Sequence, residues 1–514
     1  MRAELRQGPA RLQKIKAIVD FLASNKHSAC PGVSFTFLPF LDRASSRIFP
    51  ALETAPKPTY IFDQTGSKND TWHDRGIDKY GPYTSKVFTP TRPRLCVICQ
   101  KAHKGRIEQF LHKFINGIAP PSSGGSPQGK PQRGYFEKGL LRKYALQDVT
   151  YEFFVTDDRS PQSYKEACRQ AIEKHGAGTK WDLALVQIEE SFHQLAVAQN
   201  PYFIAKESFL THQIPVQEFE IETAQKEDRQ LAFCLNNMAL ATYAKLNGIP
   251  WLLRANPTIA HELVIGLGSA TVADGRLGER ERYVGITTVF SGDGNYHLSN
   301  VSKAVTVEKY PTEFLDALRK SITKVRQDMN WQPKDNVRLI FHATFKKFSK
   351  AEVDSVKALM KEMGDYTVEY AFLQISDQHP YLLFDQAQTG VQDYETRRKK
   401  GVYAPDRASF IQLSNRDLLL CLTGSKEVKR PEDGLPRPVL LSLHKDSSFT
   451  DMTYLSRQVF AFACHSWRTF LPGSVPVTIQ YSDLIARTLG NLSLFDRWDP
   501  DVMLGKIGKS RWFL

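Results

Sequence analysis

The sequence predicts an α/β protein of two consecutive domains, a parallel-sheet domain over residues 91–255 and a mixed-sheet domain over residues 256–514, behind an N-terminal extension of residues 1–90. Three observations predict it. Short apolar runs alternate with amphipathic helical stretches between Arg94 and Ile188, the pattern of a parallel sheet covered by helices. The alternation restarts near Glu262, where two strand-like runs flank Ser291-Gly-Asp-Gly294, a hairpin signal. A chain of 514 residues also has room for two to four domains at about 150 residues each.

The elements follow in order. The extension carries one helix, Arg11–Ser24, then a stretch from Thr54 to Tyr83 rich in Pro, Gly and Asp that ends in the Gly81-Pro82 turn. Leu95–Cys99 is a continuous apolar run, the mark of a buried strand, and Lys104–Ile115 spaces its apolar residues helically. Residues 119–134, APPSSGGSPQGKPQRG, have the composition of a flexible loop. Tyr151–Val155 (strand), Ser163–His175 (helix) and Asp182–Ile188 (strand) complete the first alternation. In the second domain Leu263–Leu267 is a strand, followed by a hairpin of Tyr283–Phe290 and Asn295–Val301. A long amphipathic helix, Pro311–Met329, precedes the strand Val337–Phe341 and the helix Lys350–Met363. Thr367–Ile375 and Val439–Leu443 are further strands, and helices Asp451–Phe470 and Ile479–Leu492 close the chain. A mixed sheet that opens with a hairpin and is packed by helices is of the ribonuclease-H-like class.

Composition narrows the function. The formal net charge of +13 favours polyanionic partners, because clustered Lys and Arg release counterions from nucleic acid. The seven cysteines are scattered and odd in number, which argues against a disulfide framework and fits a reducing cytoplasm. Cys96 and Cys99 form a C-x-x-C, but inside an apolar strand and with no second pair at zinc spacing, so they read as core residues. No secretory core follows the basic N-terminus, and no run reaches the roughly 18 apolar residues that a spanning helix needs. The expected location is the cytoplasm.

The most informative stretch runs from Tyr202 to Trp251. Tyr202 and Lys206 are four apart and share one helical face; Asn237 and Lys245 are eight apart and do the same; Gln217 lies between the pairs. An aromatic ring, two carboxamides and two ammonium groups are what a terminal phosphorylated nucleotide needs. The ring stacks on the base, the lysines neutralise the phosphate, and the amides complete its hydrogen bonds. Taken singly, each residue is an ordinary surface group.

In this order and spacing the five residues resemble the Tyr-Lys-Gln-Asn/Thr-Lys signature of the Argonaute MID domain, and Lys245-Leu-Asn-Gly-Ile-Pro-Trp251 resembles the segment that leads into the family's PIWI domain. Asn247 stands where that segment has its first Gly. The resemblance covers residues 75–514 and implies a Rossmann-like MID domain followed by a ribonuclease-H-like PIWI domain, in the manner of the short prokaryotic Argonautes. It implies that Tyr202 stacks on the first guide base and that Lys206, Gln217, Asn237 and Lys245 contact the guide 5′ phosphate. A further family lysine corresponds to Ala241, so the pocket is one charge short; the resemblance implies Mg²⁺ in its place, held by Gln217 and the terminal carboxylate of Leu514. The aromatic end Trp512-Phe513-Leu514 suggests a tail tucked into the protein.

Cleaving members of the family hold two metal ions on a set of carboxylates. Here Gly268 stands at the first Asp position, in Ile265-Gly-Leu-Gly268; Ala343 is read at the later Asp of the second strand; Asp483 keeps an acid in Tyr481-Ser-Asp483. Arg487, one turn after Asp483, is within reach of the guide 5′ phosphate or is a surface arginine. Cys464 and His465, adjacent in sequence, point about 100° apart on a helix and make no nucleophilic pair. The expected protein is therefore not an enzyme. The resemblance to inactive short Argonautes implies a guide strand, RNA in expectation, a complementary single-stranded DNA target from plasmids or phage, and a partner that carries an APAZ region with a sirtuin-like, TIR or nuclease effector. Residues 1–90 would then be a linker or the partner-docking segment. Two other readings stay open: the MID–PIWI half of a split long Argonaute acting as a binding module, and a residual guided nuclease using Asp483.

Overall fold

The N-terminal extension lies over the C-terminal domain in the computed structural model, which describes residues 4–41, 49–120, 136–273, 280–300, 304–305, 310–344, 348–393 and 396–514. Helix α1 (Gly8–Ala23) starts in close contact with the C-terminal domain: a Cβ on Gly8 would meet the Val402 carbonyl oxygen at 2.4 Å. Gln7 donates to the Pro431 carbonyl at 2.6 Å, and Leu435 N–H donates to the Arg6 carbonyl at 2.8 Å. The two-residue strand β1 (Glu53–Thr54) extends the large sheet, β2 (Tyr60–Ile61) pairs with residues next to Trp251, and α2 (His73–Tyr80) packs beside it. So this segment is part of the folded body, with far more fixed structure than its composition predicts.

The first domain is a four-stranded parallel sheet. Its strands are β3 (Arg94–Gln100), β4 (Thr150–Thr156), β5 (Leu183–Ile188) and β6 (Val216–Glu220), in the spatial order β4-β3-β5-β6. Helices α3 (Lys104–Asn116), α4 (Pro161–Gly176), α5 (Pro201–Thr211) and α6 (Asp228–Lys245) cover its faces. Leu95–Cys99 are all fully buried, alternating between the two faces, which confirms Cys96 and Cys99 as core residues. Helix α4 begins where the Ser160 hydroxyl accepts the Ser163 N–H at 3.2 Å with Pro161 in the first turn. Apart from Ala119 and Pro120, the stretch read as a flexible loop lies outside the described residues, as does Val301 of the predicted hairpin.

A short pairing strand, β7 (Leu252–Leu253), leads into the second domain. Its large mixed sheet comprises β8 (His261–Ala273), β9 (Arg280–Ser291), β10 (Tyr296–Asn300), β11 (Asn336–Ala343), β12 (Thr367–Ser376), β13 (Ser409–Gln412), β14 (Asp417–Leu420) and β15 (Val439–Leu443). The spatial order is β10-β9-β8-β11-β12-β15-β14-β13-β1. Strands β8, β11 and β12 are parallel and β9–β10 is the expected hairpin. On one face lie α7 (Tyr310–Asp328) and α8 (Lys350–Glu362), over a core of Leu263, Ile265, Leu339 and Phe341. On the other lie α9 (Met452–Ala463) and α10 (Val477–Leu492).

Helix α9 stops at Ala463, seven residues short of the predicted Phe470. The carbonyls that would continue it have other partners: Gly473 N–H donates to Ala463 at 2.8 Å and the Tyr60 hydroxyl donates to Cys464 at 3.1 Å. The released segment drops His465 into the seam between the domains. There the Trp251 indole N–H donates to His465 Nδ1 at 3.1 Å, His465 Nε2 donates to the Gly294 carbonyl at 2.9 Å, and His73 stacks on Trp251 at 4.7 Å between centroids. The C-terminal tail fills the neighbouring space, with Arg511 to Leu514 all buried and the Arg511 guanidinium 5.1 Å from the Trp467 ring.

Candidate nucleic-acid end-binding pocket

The pocket is built around an edge. Strand β6 ends its sheet, so among the described residues its outer side has no strand partner. Val216 packs with Ala205 and Phe209 of α5, whereas Phe219 packs with Phe110 of α3, so alternation assigns Glu218 to the α5 face and Gln217 to the α6 face. Lysines from both helices then meet round the open edge.

Each lysine is placed by local structure. The Asn200 side chain accepts the Tyr202 N–H at 3.0 Å and donates to the Phe192 carbonyl at 2.9 Å, while Pro201 occupies the first turn of α5. This anchors Tyr202 and Lys206 on one face. Lys206 Nζ donates to the Tyr202 hydroxyl and lies 5.9 Å from the centroid of Trp512 in the C-terminal tail. Lys245 closes α6, and its Nζ donates to Val216 O and to Gln217 Oε1, both at 2.8 Å. Just beyond, Asn247 adopts φ 70°, a left-handed conformation that Asn tolerates better than other non-glycine residues, which accounts for Asn in place of the resembling segment's Gly.

The structure thus brings Tyr202, Lys206, Gln217 and Lys245 together. Asn237 is two turns earlier on α6; its Oδ1 accepts the Phe470 N–H at 2.9 Å and its amide donates to the Phe233 carbonyl, so in this structure it ties the two domains. Leu514 is buried at the end of the tail that brings Trp512 to Lys206.

Burial dominates the electrostatics. Lys206 is 2 % and Lys245 3 % exposed. Desolvation pushes the Lys206 ammonium down to about 8, with Arg468 adding to the fall and Glu218 opposing it. It holds Lys245 well below the ordinary lysine range, with Lys206 and Arg468 adding and Glu218 again opposing. Burial likewise raises the Tyr202 phenol, with Glu218 adding. Two buried ammonium groups side by side are poised to take an anion. Glu218 and Arg468 are the members that sequence reasoning missed. Glu218 hides beside Gln217 on a strand where neighbours point apart, and Arg468 lay in a stretch read as helix.

A Piwi domain signature matches residues 198–493, more than half of the chain, from just before Tyr202 to beyond Arg487. The chain belongs to the Piwi family. It is 36% identical over 472 residues to the Argonaute protein of Cereibacter sphaeroides, covering 90% of this chain and 58% of that protein. It is 23% identical over 313 residues to the Piwi protein of Archaeoglobus fulgidus, covering 57% of this chain and 67% of that one. The Clostridium butyricum Argonaute, solved with a guide DNA and a 19-mer target DNA, superposes with a TM-score of 0.66 at 15% identity over 94% of this chain and 58% of its own. The chain therefore spans about three-fifths of the length of these Argonautes.

The positions Gly268 and Ala343, read from sequence as lacking acids, lie on β8 and β11, two neighbouring strands of the large sheet. Gly266 pairs with His342 and Leu267 with Ala343 across the parallel strands. Leu267 and Ala343 both face the α7–α8 core. Gly266, Gly268 and His342 face α10: a Cβ on Gly268 would lie 2.8 Å from Ser482 Cβ, and His342 Nδ1 bonds Thr478 Oγ1 at 2.9 Å. Ala343, the position read from sequence, is the last residue of β11, and Thr344 follows it just beyond the strand. Neither residue bears an acid. Asp483 is half-buried on α10, its carboxyl raised by desolvation against the opposing pull of Arg487. His465 is fully buried and its pKa is pushed down to about 3, while burial raises the Cys464 thiol, so neither group is activated.

Proposed function

We propose that this chain holds the 5′-phosphorylated end of a guide strand and uses the guide to recognise complementary nucleic acid, without cutting it. The observation that carries the reading is the convergence of two buried lysines, Tyr202 and Gln217 at the open edge of β6. The desolvated ammonium groups gain most from a phosphate dianion, Gln217 supplies an amide, and Tyr202 supplies an aromatic ring for the first base. Asn237 joins the phosphate contacts in this proposal by exchanging its Phe470 contact, and Arg468 and Arg487 supply further positive charge from the second domain. The test is direct. A short 5′-phosphorylated RNA should bind at least about thirtyfold more tightly than its 5′-hydroxyl twin, the worth of one or two charge-assisted hydrogen bonds. Equal affinities would remove the pocket from the mechanism.

Mg²⁺ is the proposed ion of this pocket, held by Gln217 and the terminal carboxylate of Leu514 beside the guide phosphate. These are hard oxygen donors of the kind Mg²⁺ accepts, and among the described residues no cluster of three His, Cys, Asp or Glu competes for it. Bound there, the ion would supply the positive charge that Ala241 does not. Chelation with EDTA should then weaken binding of the phosphorylated RNA and leave the hydroxyl twin unchanged.

Binding should also be linked to protons. In the free protein burial holds the Lys206 ammonium down to about 8 and Lys245 well below the ordinary lysine range, so both give up charge more readily than an exposed lysine as pH rises. A bound phosphate restores both charges, so association takes up protons in this range. Affinity for the phosphorylated strand should fall as pH rises, by up to about tenfold per pH unit per lysine titrating, with little change for the hydroxyl twin. Fluorescence anisotropy between about pH 7 and about pH 9.5 would measure the slope.

The biological reading extends this. The guide is proposed to be RNA, the target single-stranded DNA of plasmids or phage, and the output activation of an APAZ-containing effector chain in prokaryotic defence. The lack of an acid at Gly268 and Ala343, the positions the resemblance assigns to acids, supports signalling over cutting. An outlet for a partner is supported by the N-terminal segment, where Ile18, Phe21, Val33, Phe35, Phe37 and Leu38 are exposed. Among the described residues no helix is long and apolar enough to cross a membrane.

A further inference from the structure

We infer that Gln213 is a positioning residue of the pocket: it clasps the turn that leads into the C-terminal tail, and so holds Trp512 against Lys206. The inference rests on the reading of this pocket as a phosphate site. The clasp is a pair of hydrogen bonds between the domains. Gln213 Nε2 donates to the Val502 carbonyl at 3.0 Å, and Gln213 Oε1 accepts the Ile507 N–H at 2.8 Å. One amide thus pins both sides of the turn at residues 502–507. The residue types at the contact are informative. Gln213 has φ 62°, a left-handed conformation that Gly or Asn adopts at less cost than Gln. Gly505 has φ −79° and ψ −161°, extended backbone that any residue adopts. So neither residue is the one its backbone asks for, and their contact accounts for both. A Cβ on Gly505 would meet Gln213 Oε1 at 2.5 Å and its Cδ and Nε2 at 2.9 Å. Gly505 clears the space that the amide occupies, and Gln213 bears a strained backbone for the reach of its side chain.

The clasp sits beside both lysines. Gln213 follows directly on α5, which carries Lys206, and it lines one crevice with Lys245, Ile507 and Ser510. From Ile507 the chain turns at Ser510, whose N–H and hydroxyl both donate to the Ile507 carbonyl, at 2.9 and 2.8 Å. Two residues later Trp512, fully buried, sets its ring 5.9 Å from Lys206 Nζ. Trp512 is therefore one wall of the site that keeps Lys206 from water. An ammonium group cut off from water binds a phosphate more strongly than a hydrated one, because the local dielectric is lower. Releasing residues 502–507 loosens that wall and lets water compete for Lys206.

The experiment is a double-mutant cycle of Gln213→Gly and Gly505→Ala in the full chain, with a short 5′-phosphorylated RNA and its 5′-hydroxyl twin as probes. Gln213→Gly removes the amide and suits the left-handed backbone. Gly505→Ala suits its own backbone and expels the amide from the other side, at little cost because the displaced atoms end a flexible side chain. Each should weaken binding of the phosphorylated RNA about fivefold, the worth of about one hydrogen bond, and leave the hydroxyl twin within about twofold. The double variant should bind within about twofold of either single variant, since one clasp cannot be lost twice. Amide hydrogen exchange over residues 502–514 should quicken in all three, with denaturation midpoints close to wild type. Should Gln213→Gly fail to fold, Gly505→Ala carries the test. A folded single variant that binds the phosphorylated RNA within about twofold of wild type overturns the inference while the phosphate reading stands. Equal weakening with both RNAs overturns it too, by reducing the clasp to general support of the fold. A wild-type protein with no preference for the phosphorylated strand overturns both.

Discussion

Lys206→Met together with Lys245→Met should lower affinity for a 5′-phosphorylated guide by at least about a hundredfold, without destabilising the fold. Each ammonium offers the phosphate a charge-assisted hydrogen bond worth about 1.5–3 kcal/mol in a desolvated site, so the pair is worth about 3–6 kcal/mol. Ordinarily, truncating a buried polar residue confounds such a test by unfolding the protein. Here the balance runs the other way. Both lysines are held below their ordinary pKa by burial, which means the fold bears a cost for charging them. Methionine fills a similar volume and needs no hydration. The losses are the Lys206 bond to the Tyr202 hydroxyl and, at Lys245, the donor to Val216 O and Gln217 Oε1, effects of about 1–2 kcal/mol each that the relief of desolvation offsets. The measurement is a pair of curves, denaturant unfolding and guide binding. Lost binding with an unmoved midpoint supports the pocket; retained binding of the phosphorylated strand would sink it.

The Tyr202–Lys206 pair was legible because a spacing of four on a helix fixes a face, and Asn200-Pro201 fixes where that helix starts. The contact of Lys245 with Gln217 was legible only through resemblance, since 28 residues separate them and no local rule joins a helix end to a strand edge. Glu218 was not legible at all. Alternation alone puts it on the other face from Gln217, and only the openness of the β6 edge lets lysines from both faces converge near it. At the fold level, strands with continuous apolar runs were found to within a residue or two, because a buried strand must be apolar throughout. The two-residue strands β1 and β2 carry no periodic signal, so the extension read as unpatterned although the Arg6 and Gln7 contacts fasten it to residues 431–435. Helix α9 was read too long because the apolar spacing continues past Ala463. What ends it is tertiary, the Gly473 and Tyr60 donors that take its last carbonyls.

Restoring acids to the Piwi centre should not restore cleavage. Gly268→Asp is expected to destabilise the chain by about 3 kcal/mol or more, and Gly268→Asp with Ala343→Asp should still give no guided product with Mg²⁺ or Mn²⁺. The reason is the approach of α10 to β8. A Cβ at Gly268 would sit 2.8 Å from Ser482 Cβ and 2.9 Å from the Ser482 carbonyl carbon and oxygen, and one at Gly266 would sit 2.0 Å from the Thr478 carbonyl oxygen. Apart from Ser482 Cβ, which is itself fixed to the backbone, these neighbours are main chain, which cannot swing aside as a flexible side chain does. Thr478 is itself held: its hydroxyl bonds His342 and its carbonyl accepts the Thr288 and Ser482 hydroxyls. An aspartate at 268 must therefore push the whole helix off the sheet, and Asp483, carried on that helix, moves with it. The acids needed for two bridged metal ions cannot be assembled without breaking the packing that places the third of them. Denaturation midpoints and a cleavage assay with a matched guide decide the matter, and any guide-dependent product from the double variant would show that α10 yields more readily than its contacts require.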